Sequence, residues 1–232
     1  MRLLLSSSSK QHGSGYLDHC ADEIIDFLGQ AKQVAFIPFA LHDWEAYSAA
    51  VAARFRKMEF DLSGVHQAGD ARGTIAAAEA IFVGGGNTFR LLNELYNQDL
   101  LQIMWEKVAS GTPYIGSSAG TGIAGPTIKT TNDMPIVYPP SFDALNLVPF
   151  NLNCHYLDPD PKSRHQGETR EQRLKEFHEM NDPPVLALRE GAMLRVEGKR
   201  ATLKGNVNAR LFLKARPPVE FEPGADLSFL LS

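Results

Sequence analysis

Pro113-Tyr114-Ile115-Gly116-Ser117-Ser118-Ala119-Gly120-Thr121-Gly122-Ile123-Ala124 reads as three elements in succession. The apolar run Pro113-Tyr114-Ile115 predicts a buried strand. Thr121 to Ala124 are small residues suited to the first turn of a tightly packed helix. Between them stands G-x-S-x-G. Strand, G-x-S-x-G, helix is the nucleophile-elbow pattern of α/β folds, in which the central serine sits on a sharp, strained turn with its hydroxyl clear of the backbone. Ser118 is that serine. Gly116 and Gly120 let strand and helix approach where a Cβ would clash. The following helix would aim its first N–H groups at whatever the serine attacks. An ordinary strand–helix turn containing Ser and Gly satisfies the same letters, so the rest of the chain must decide.

Working outward, strand-like and helix-like stretches alternate. Leu3 to Ser6 predicts a strand. Tyr16 to Leu28, with Ile24, Ile25 and Leu28 set among acids, predicts a helix. Val34-Ala35-Phe36-Ile37-Pro38 is a continuous apolar run, as in a strand covered on both faces. Asp43 can cap a helix running to about Met58. Leu62 to His66 predicts a strand and Thr74 to Ala80 a short helix. Ile81-Phe82-Val83 is a strand ending at Gly84-Gly85-Gly86, and Thr88 to Ser110 holds one or two helices. This order implies an α/β fold: a three-layer α/β/α arrangement whose sheet is mostly parallel. Residues 127–149, with Pro135, Pro139 and Pro140, predict loops and short strands over the sheet's edge or mouth. Val185 to Leu188 is one more apolar run. Met193 to Val196, Ala201 to Lys204 and Arg210 to Leu213 predict short antiparallel strands, with a turn at Glu197-Gly198-Lys199.

Composition bounds the function classes. The 232 residues, 44 % of them hydrophobic, suffice for one α/β domain over 1–232, and no compositional shift argues for two. A net charge of −4 without a basic block argues against nucleic acid or an anionic membrane as partner. Met1 to Leu5 is too short an apolar run for a signal peptide, and no stretch approaches the ~18 apolar residues of a membrane span. The two cysteines, Cys20 and Cys154, have neither metal spacing nor a disulfide framework. A cytoplasmic protein without metal is the expectation, with monomer and homodimer both open.

A serine hydroxyl needs a base within hydrogen-bond reach, and the base needs an orienting acceptor. Seven histidines compete. His12, His19, His42 and His66 precede the elbow; His165 and His178 lie in polar surroundings, with His178 reading as a solvated helix face. His155 closes the stretch Val148 to Cys154, at a strand's C-terminal end, where α/β sheets place their sites. A structural histidine fits that position too. Glu190 follows Val185 to Leu188 and also stands at a strand end, although a surface glutamate beside Arg189 would look the same. The order Ser118, His155, Glu190 is not that of an α/β-hydrolase, whose acid precedes its histidine. For the oxyanion, the N–H of Ala119 is one donor. Gly84-Gly85-Gly86-Asn87-Thr88 supplies a loop able to bring the N–H of Gly86 close. That loop matches neither G-x-G-x-x-G nor a P-loop.

At this point the sequence resembles the peptidase E, or aspartyl dipeptidase, family of serine peptidases. The matching stretches are Phe36 to Ala40, Val83 to Leu92, Ile115 to Gly120, Thr130 to Val137, Gly167 to Arg173, and Glu190-Gly191. They cover most of the chain in order. The resemblance implies a fold like the class I glutamine amidotransferases (flavodoxin-like), and a Ser-His-Glu triad at Ser118, His155 and Glu190. It implies cleavage of small dipeptides with an N-terminal aspartate, without metal or cofactor. One departure is Cys154, where the family usually has proline before the histidine. Selecting aspartate calls for a cation, and Arg170 is the candidate. Thr169 to Gln172 fits a capping box that makes Arg170 the first helical residue, a placement against the helix dipole that an incoming anion would relieve. Arg164 and Arg173 stand in reserve. Asn132 and Asp133 can line the same pocket, Asp133 facing the substrate's α-amino group; Tyr156 and Glu168 are weaker candidates. The rivals are an amide hydrolase of the same fold acting on another acidic or β-aspartyl compound, a non-catalytic binding protein, and Cys154 as nucleophile.

Overall fold

The computed structural model describes residues 1–162, 164 and 166–232. Apolar runs alternate with amphipathic segments, and the chain responds with strands and covering helices. β1 (Arg2–Ser6) leads through a 3-10 turn at Asp18–Cys20 into α1 (Ala21–Leu28), then β2 (Gln33–Ile37) and α2 (Trp44–Arg56), whose N-cap Asp43 accepts from the Ala46 N–H. β3 (Asp61–Gly64), α3 (Ala71–Ala77), β4 (Ala80–Val83), α4 (Thr88–Asn97), α5 (Leu101–Ala109) and β5 (Tyr114–Ser117) follow. The strand expected to reach His66 stops at Gly64, where a 3-10 turn over Val65–Ala68 begins. The helix expected over 74–80 starts three residues earlier, because Asp70 caps it by accepting from the Gly73 N–H.

These strands and two later ones, β8 (Ala192–Glu197) and β9 (Arg200–Gly205), form a seven-stranded sheet in the order β3-β2-β4-β5-β1-β8-β9. The first five are mutually parallel, and β8 and β9 add an antiparallel edge. Successive side chains of a strand point to opposite faces. Leu3, Leu5, Ile37, Val83 and Tyr114 accordingly pack with Leu91 and Leu95 of α4 and Met104 and Val108 of α5. Leu4, Phe36, Phe82 and Ile115 pack on the other face with Ile24 and Phe27 of α1 and Val51 and Phe55 of α2. The result is the expected three-layer arrangement.

Three further expectations need correction. The C-terminal strands are not one antiparallel set. β6 (Asn151–Asn153), β7 (Val185–Leu188), β10 (Ala209–Phe212) and β11 (Val219–Phe221) make a second sheet in the order β11-β10-β7-β6. One face of β7, Leu186 and Leu188, joins the main core, while Val185 and Ala187 pack with Leu174 of α7 (Arg170–Met180). His178, expected on a solvated face, is 7 % exposed. It lies one turn beyond Leu174, so both face inward. Residues 127–149 hold no strand, only a single bridge between Thr127 and Asp143. Among the described residues no helix is long and apolar enough to cross a membrane.

Candidate active site

The C-terminal ends of β1, β2, β4 and β5 converge on Ser118. β1 and β5 pair in parallel with Ser6 opposite Ser117, and the Ser118 N–H donates to the Ser6 carbonyl at 3.0 Å. Ser118 has φ 53° and ψ −108°, a conformation that L side chains rarely adopt. The elbow survives because its flanks are glycine. A Cβ on Gly116 would lie 2.6 Å from the Gly120 carbonyl oxygen, and one on Gly120 would collide with that of Val83. The buried Tyr114 hydroxyl donates to the Gly120 carbonyl at 2.5 Å and closes the turn. The helix behind it, α6 (Ala119–Gly122), is a single turn, shorter than the sequence suggested.

His155 and Glu190 reach Ser118 through the second sheet. β6 and β7 are parallel neighbours, with Asn153 opposite Ala187. Two residues beyond β6 and two beyond β7 therefore emerge side by side. Ser118 Oγ lies 2.8 Å from His155 Nε2, and His155 Nδ1 lies 2.9 Å from Glu190 Oε1. The hydroxyl donates to Nε2 and the Nδ1–H donates to the carboxylate, the geometry a base and its orienter require. His155 too has a positive φ, 54°. Its backbone N–H donates to Ser7 Oγ at 2.9 Å, and the Ser7 hydroxyl donates to the Leu188 carbonyl at 2.8 Å. Ser7 thus joins the histidine segment to the glutamate strand. Sequence reasoning missed it, because Ser7 is one of four consecutive serines, Ser6 to Ser9, with nothing local to single it out.

Ala119 opens α6, so its N–H has no intrahelical acceptor. Gly86 has φ 137°, and a Cβ there would lie 2.5 Å from the Ala40 carbonyl oxygen. Both Gly85 and Gly86 line a cleft with Ser118, His155 and Glu190. Gly86 thus shares the cleft with Ser118, and Ala119 directly follows that serine in the chain.

A second, smaller hollow of about 30 Å³ opens beside Ser118 and is lined by Thr88, Thr131, Asn132 and Asp133. β6 shapes it: Asn153 Nδ2 donates to the Thr130 carbonyl at 2.7 Å and the Thr130 hydroxyl to the Leu152 carbonyl at 3.0 Å. Asp133 Oδ2 accepts from the Thr88 N–H at 2.7 Å and the Thr88 hydroxyl at 2.5 Å, leaving Oδ1 for another donor. The capping box over Thr169 and Gln172 forms as expected, and Arg170 starts α7. Its Nη1 donates to Asn132 Oδ1 at 2.7 Å, while Asn132 Nδ2 donates to the Cys154 carbonyl at 2.8 Å. Partial burial lowers the Arg170 pKa, with Arg173 nearby adding to the effect. Among the described residues Arg170 pairs with no carboxylate; its neighbour Glu171 binds Lys175 and Arg210 instead.

The remaining candidates lie elsewhere. Tyr156 is buried against Phe212, Glu168 pairs with Arg173, and Arg164 is exposed. His165 lies outside the described residues. The Cys154 thiol donates to the Ser118 carbonyl at 3.4 Å, and burial pushes its pKa well up, which favours the neutral thiol over the nucleophilic thiolate. Among the described residues no group of three or more His, Cys, Asp or Glu could hold a metal ion.

The sequence profile of peptidase family S51 matches residues 3–204. The chain is 54 % identical over 231 residues to the protein named peptidase E in Streptomyces coelicolor, covering 100 % of this chain and 95 % of that one. It is 51 % identical over 232 residues to a Drosophila melanogaster protein named "Probable alpha-aspartyl dipeptidase", covering 99 % and 97 %. The solved structure of a peptidase from an acI-B1 Actinobacterium superposes with a TM-score of 0.73 at 17 % identity, over 98 % of this chain and 96 % of the other, a likeness of fold.

Proposed function

The chain belongs to peptidase family S51, and on that basis we propose that it is a serine dipeptidase that hydrolyses dipeptides with an N-terminal aspartate. The observation that carries this reading is the unbroken relay from Ser118 Oγ through His155 to Glu190, at 2.8 and 2.9 Å. His155 Nε2 takes the Ser118 proton as Oγ attacks the scissile carbonyl carbon. The oxyanion that forms is held by the N–H groups of Gly86 and Ala119. His155 then passes its proton to the departing amine, the C–N bond breaks, and an aspartyl ester remains on Ser118. Water, deprotonated by His155, attacks that ester, and the returning proton restores the Ser118 hydroxyl as aspartate leaves. Glu190 keeps the proton on Nδ1 throughout, so Nε2 begins each half-reaction as an acceptor.

The small hollow suits a short, charged side chain such as that of aspartate: Thr88, Thr131 and Asn132 give it polar walls beside Ser118. Arg170, held by Asn132 and without a carboxylate partner among the described residues, supplies the compensating charge. The open Oδ1 of Asp133 suits the protonated α-amino group. The test is a panel of Asp-Leu, β-Asp-Leu, Asn-Leu and Glu-Leu against wild type and Ser118→Ala. Asp-Leu should be the preferred substrate, and Ser118→Ala should lower its turnover by roughly four to six orders of magnitude. Near-normal turnover by the variant removes Ser118 from the chemistry. Preference for β-Asp-Leu would reassign the substrate while leaving the relay in place. In the same assay Arg170→Ala should reduce kcat/KM for Asp-Leu far more than for Ala-Leu, and equal losses would take Arg170 out of the specificity role.

A further inference from the structure

Ser118 lies between two spaces of unequal size. The hollow beside Asn132 and Asp133 measures about 30 Å³; the cleft on the Gly85-Gly86 side measures about 670 Å³. On the proposed reading of the site, the first takes the aspartyl residue and the second receives the departing one. The larger cleft has an apolar wall made by Leu41, Tyr47 and Val51, and the Tyr16 hydroxyl lies 3.3 Å from that of Tyr47. Its ionic character is lopsided. Asp133 and Glu190 line it, and among the described residues Lys10 is the one lysine or arginine that does.

The loop after β1 holds Lys10 in place. Ser7 is pinned to the His155 N–H and the Leu188 carbonyl, and Gln11 Nε2 donates to the Glu190 carbonyl at 3.4 Å and to Asn206 Oδ1 at 3.2 Å. The Leu17 N–H donates to the Ser9 carbonyl at 2.7 Å and closes the loop. Lys10 therefore stands between two tethers to the segments that carry the relay. It is exposed, and among the described residues it pairs with no carboxylate. Ser8, in the same lining, is 2 % exposed, and its hydroxyl has no hydrogen-bond partner. A buried hydroxyl left unpaired is disfavoured unless something arrives to receive its hydrogen.

We propose that Lys10 and Ser8 form a carboxylate anchor for the C-terminal residue of the substrate, with the wall of Leu41, Tyr47 and Val51 receiving that residue's apolar side chain. A free carboxylate directly after the scissile bond is what separates a dipeptide from the start of a longer chain. The anchor would therefore set substrate length, and the wall would favour large apolar residues in second position.

The test compares Asp-Leu with Asp-Leu-amide, which keeps the scissile bond and the leucyl side chain but lacks the carboxylate. Wild type should show a KM for Asp-Leu about 5- to 10-fold below that for the amide, the scale of one partly shielded ion pair with a hydrogen bond. Lys10→Met should remove that difference by raising KM for Asp-Leu with kcat nearly unchanged, and should leave the amide unaffected. Lys10→Arg should restore most of the difference, and Ser8→Ala should reduce it in part. Equal kinetics for the two substrates in wild type, or equal losses for both in Lys10→Met, would overturn the anchor while leaving Asp-Leu hydrolysis intact. Failure of wild type to cleave either substrate would instead overturn the dipeptidase reading.

Discussion

Ser118 and His155 both hold positive φ values, 53° and 54°, and both carry side chains. Such conformations persist only where the surroundings over-determine them. At Ser118 the constraint comes from Gly116, Gly120 and the Tyr114 hydroxyl. At His155 it comes from Ser7, whose hydroxyl bridges the His155 N–H and the Leu188 carbonyl. Ser7→Ala should destabilise the protein by about 1–3 kcal/mol, because it leaves buried backbone groups unpaired. It should also lower kcat for Asp-Leu about 10-fold with little change in KM, since the imidazole's aim and not ground-state binding depends on it. A thermal melt and a full saturation curve check this; a rise in KM at unchanged kcat would show that Ser7 shapes binding instead. The residue scale is also where the sequence was most legible. Ser118, His155 and Glu190 each follow an apolar run, which made them candidates, and the family resemblance, not position alone, implied their roles. Ser7 was not legible, because a serine among serines carries no positional mark until β5 is placed beside β1.

Elements bring these residues together by register. Parallel pairing of β6 and β7 sets the histidine and the glutamate at one level, and parallel pairing of β1 and β5 does the same for Ser7 and Ser118. The second sheet was not legible as such. Its strands are separated by α7 and by β8 and β9, which belong to the other sheet, and no local pattern says which sheet a short apolar run will join. The burial of His178 was hidden for a related reason. Its neighbours Glu176 and Glu179 read as polar surface, and the inward face appears only once α7 lies against β7 and β10. The capping box at Thr169 was legible, because it depends on residues three apart in one helix. Thr169→Ala should cost about 1 kcal/mol of stability. Because the cap fixes the first turn that carries Arg170, it should also raise KM for Asp-Leu while KM for Ala-Leu holds. Equal changes for both substrates would show that the cap supports the fold without aiming Arg170.

At the scale of the whole molecule, a charged clamp ties the second sheet to the site. Arg189, the residue before Glu190, donates to both oxygens of Asp158 at 2.8 and 2.7 Å and to both oxygens of Glu220 at 2.9 Å. Hydrogen bonds from Arg189 hold the Asp158 carboxyl below its ordinary range. A carboxylate whose pKa is lower folded than unfolded stabilises the fold above the unfolded value, about 3.9, and loses that contribution as pH falls through the folded value. Melting temperature should therefore drop below about pH 4 in wild type and drop less steeply over the same window in Asp158→Asn. Parallel curves for the two proteins would remove the Asp158 pair from the acid response. The decisive step, however, is covalent chemistry at one hydroxyl. It is tested most directly by acid-quenching the enzyme during turnover of an aspartyl p-nitrophenyl ester and mapping the modified peptide. The quenched enzyme should carry an aspartyl ester on Ser118, absent in His155→Ala. An aspartyl group on Cys154, or steady turnover with no acyl group on any residue, would contradict it.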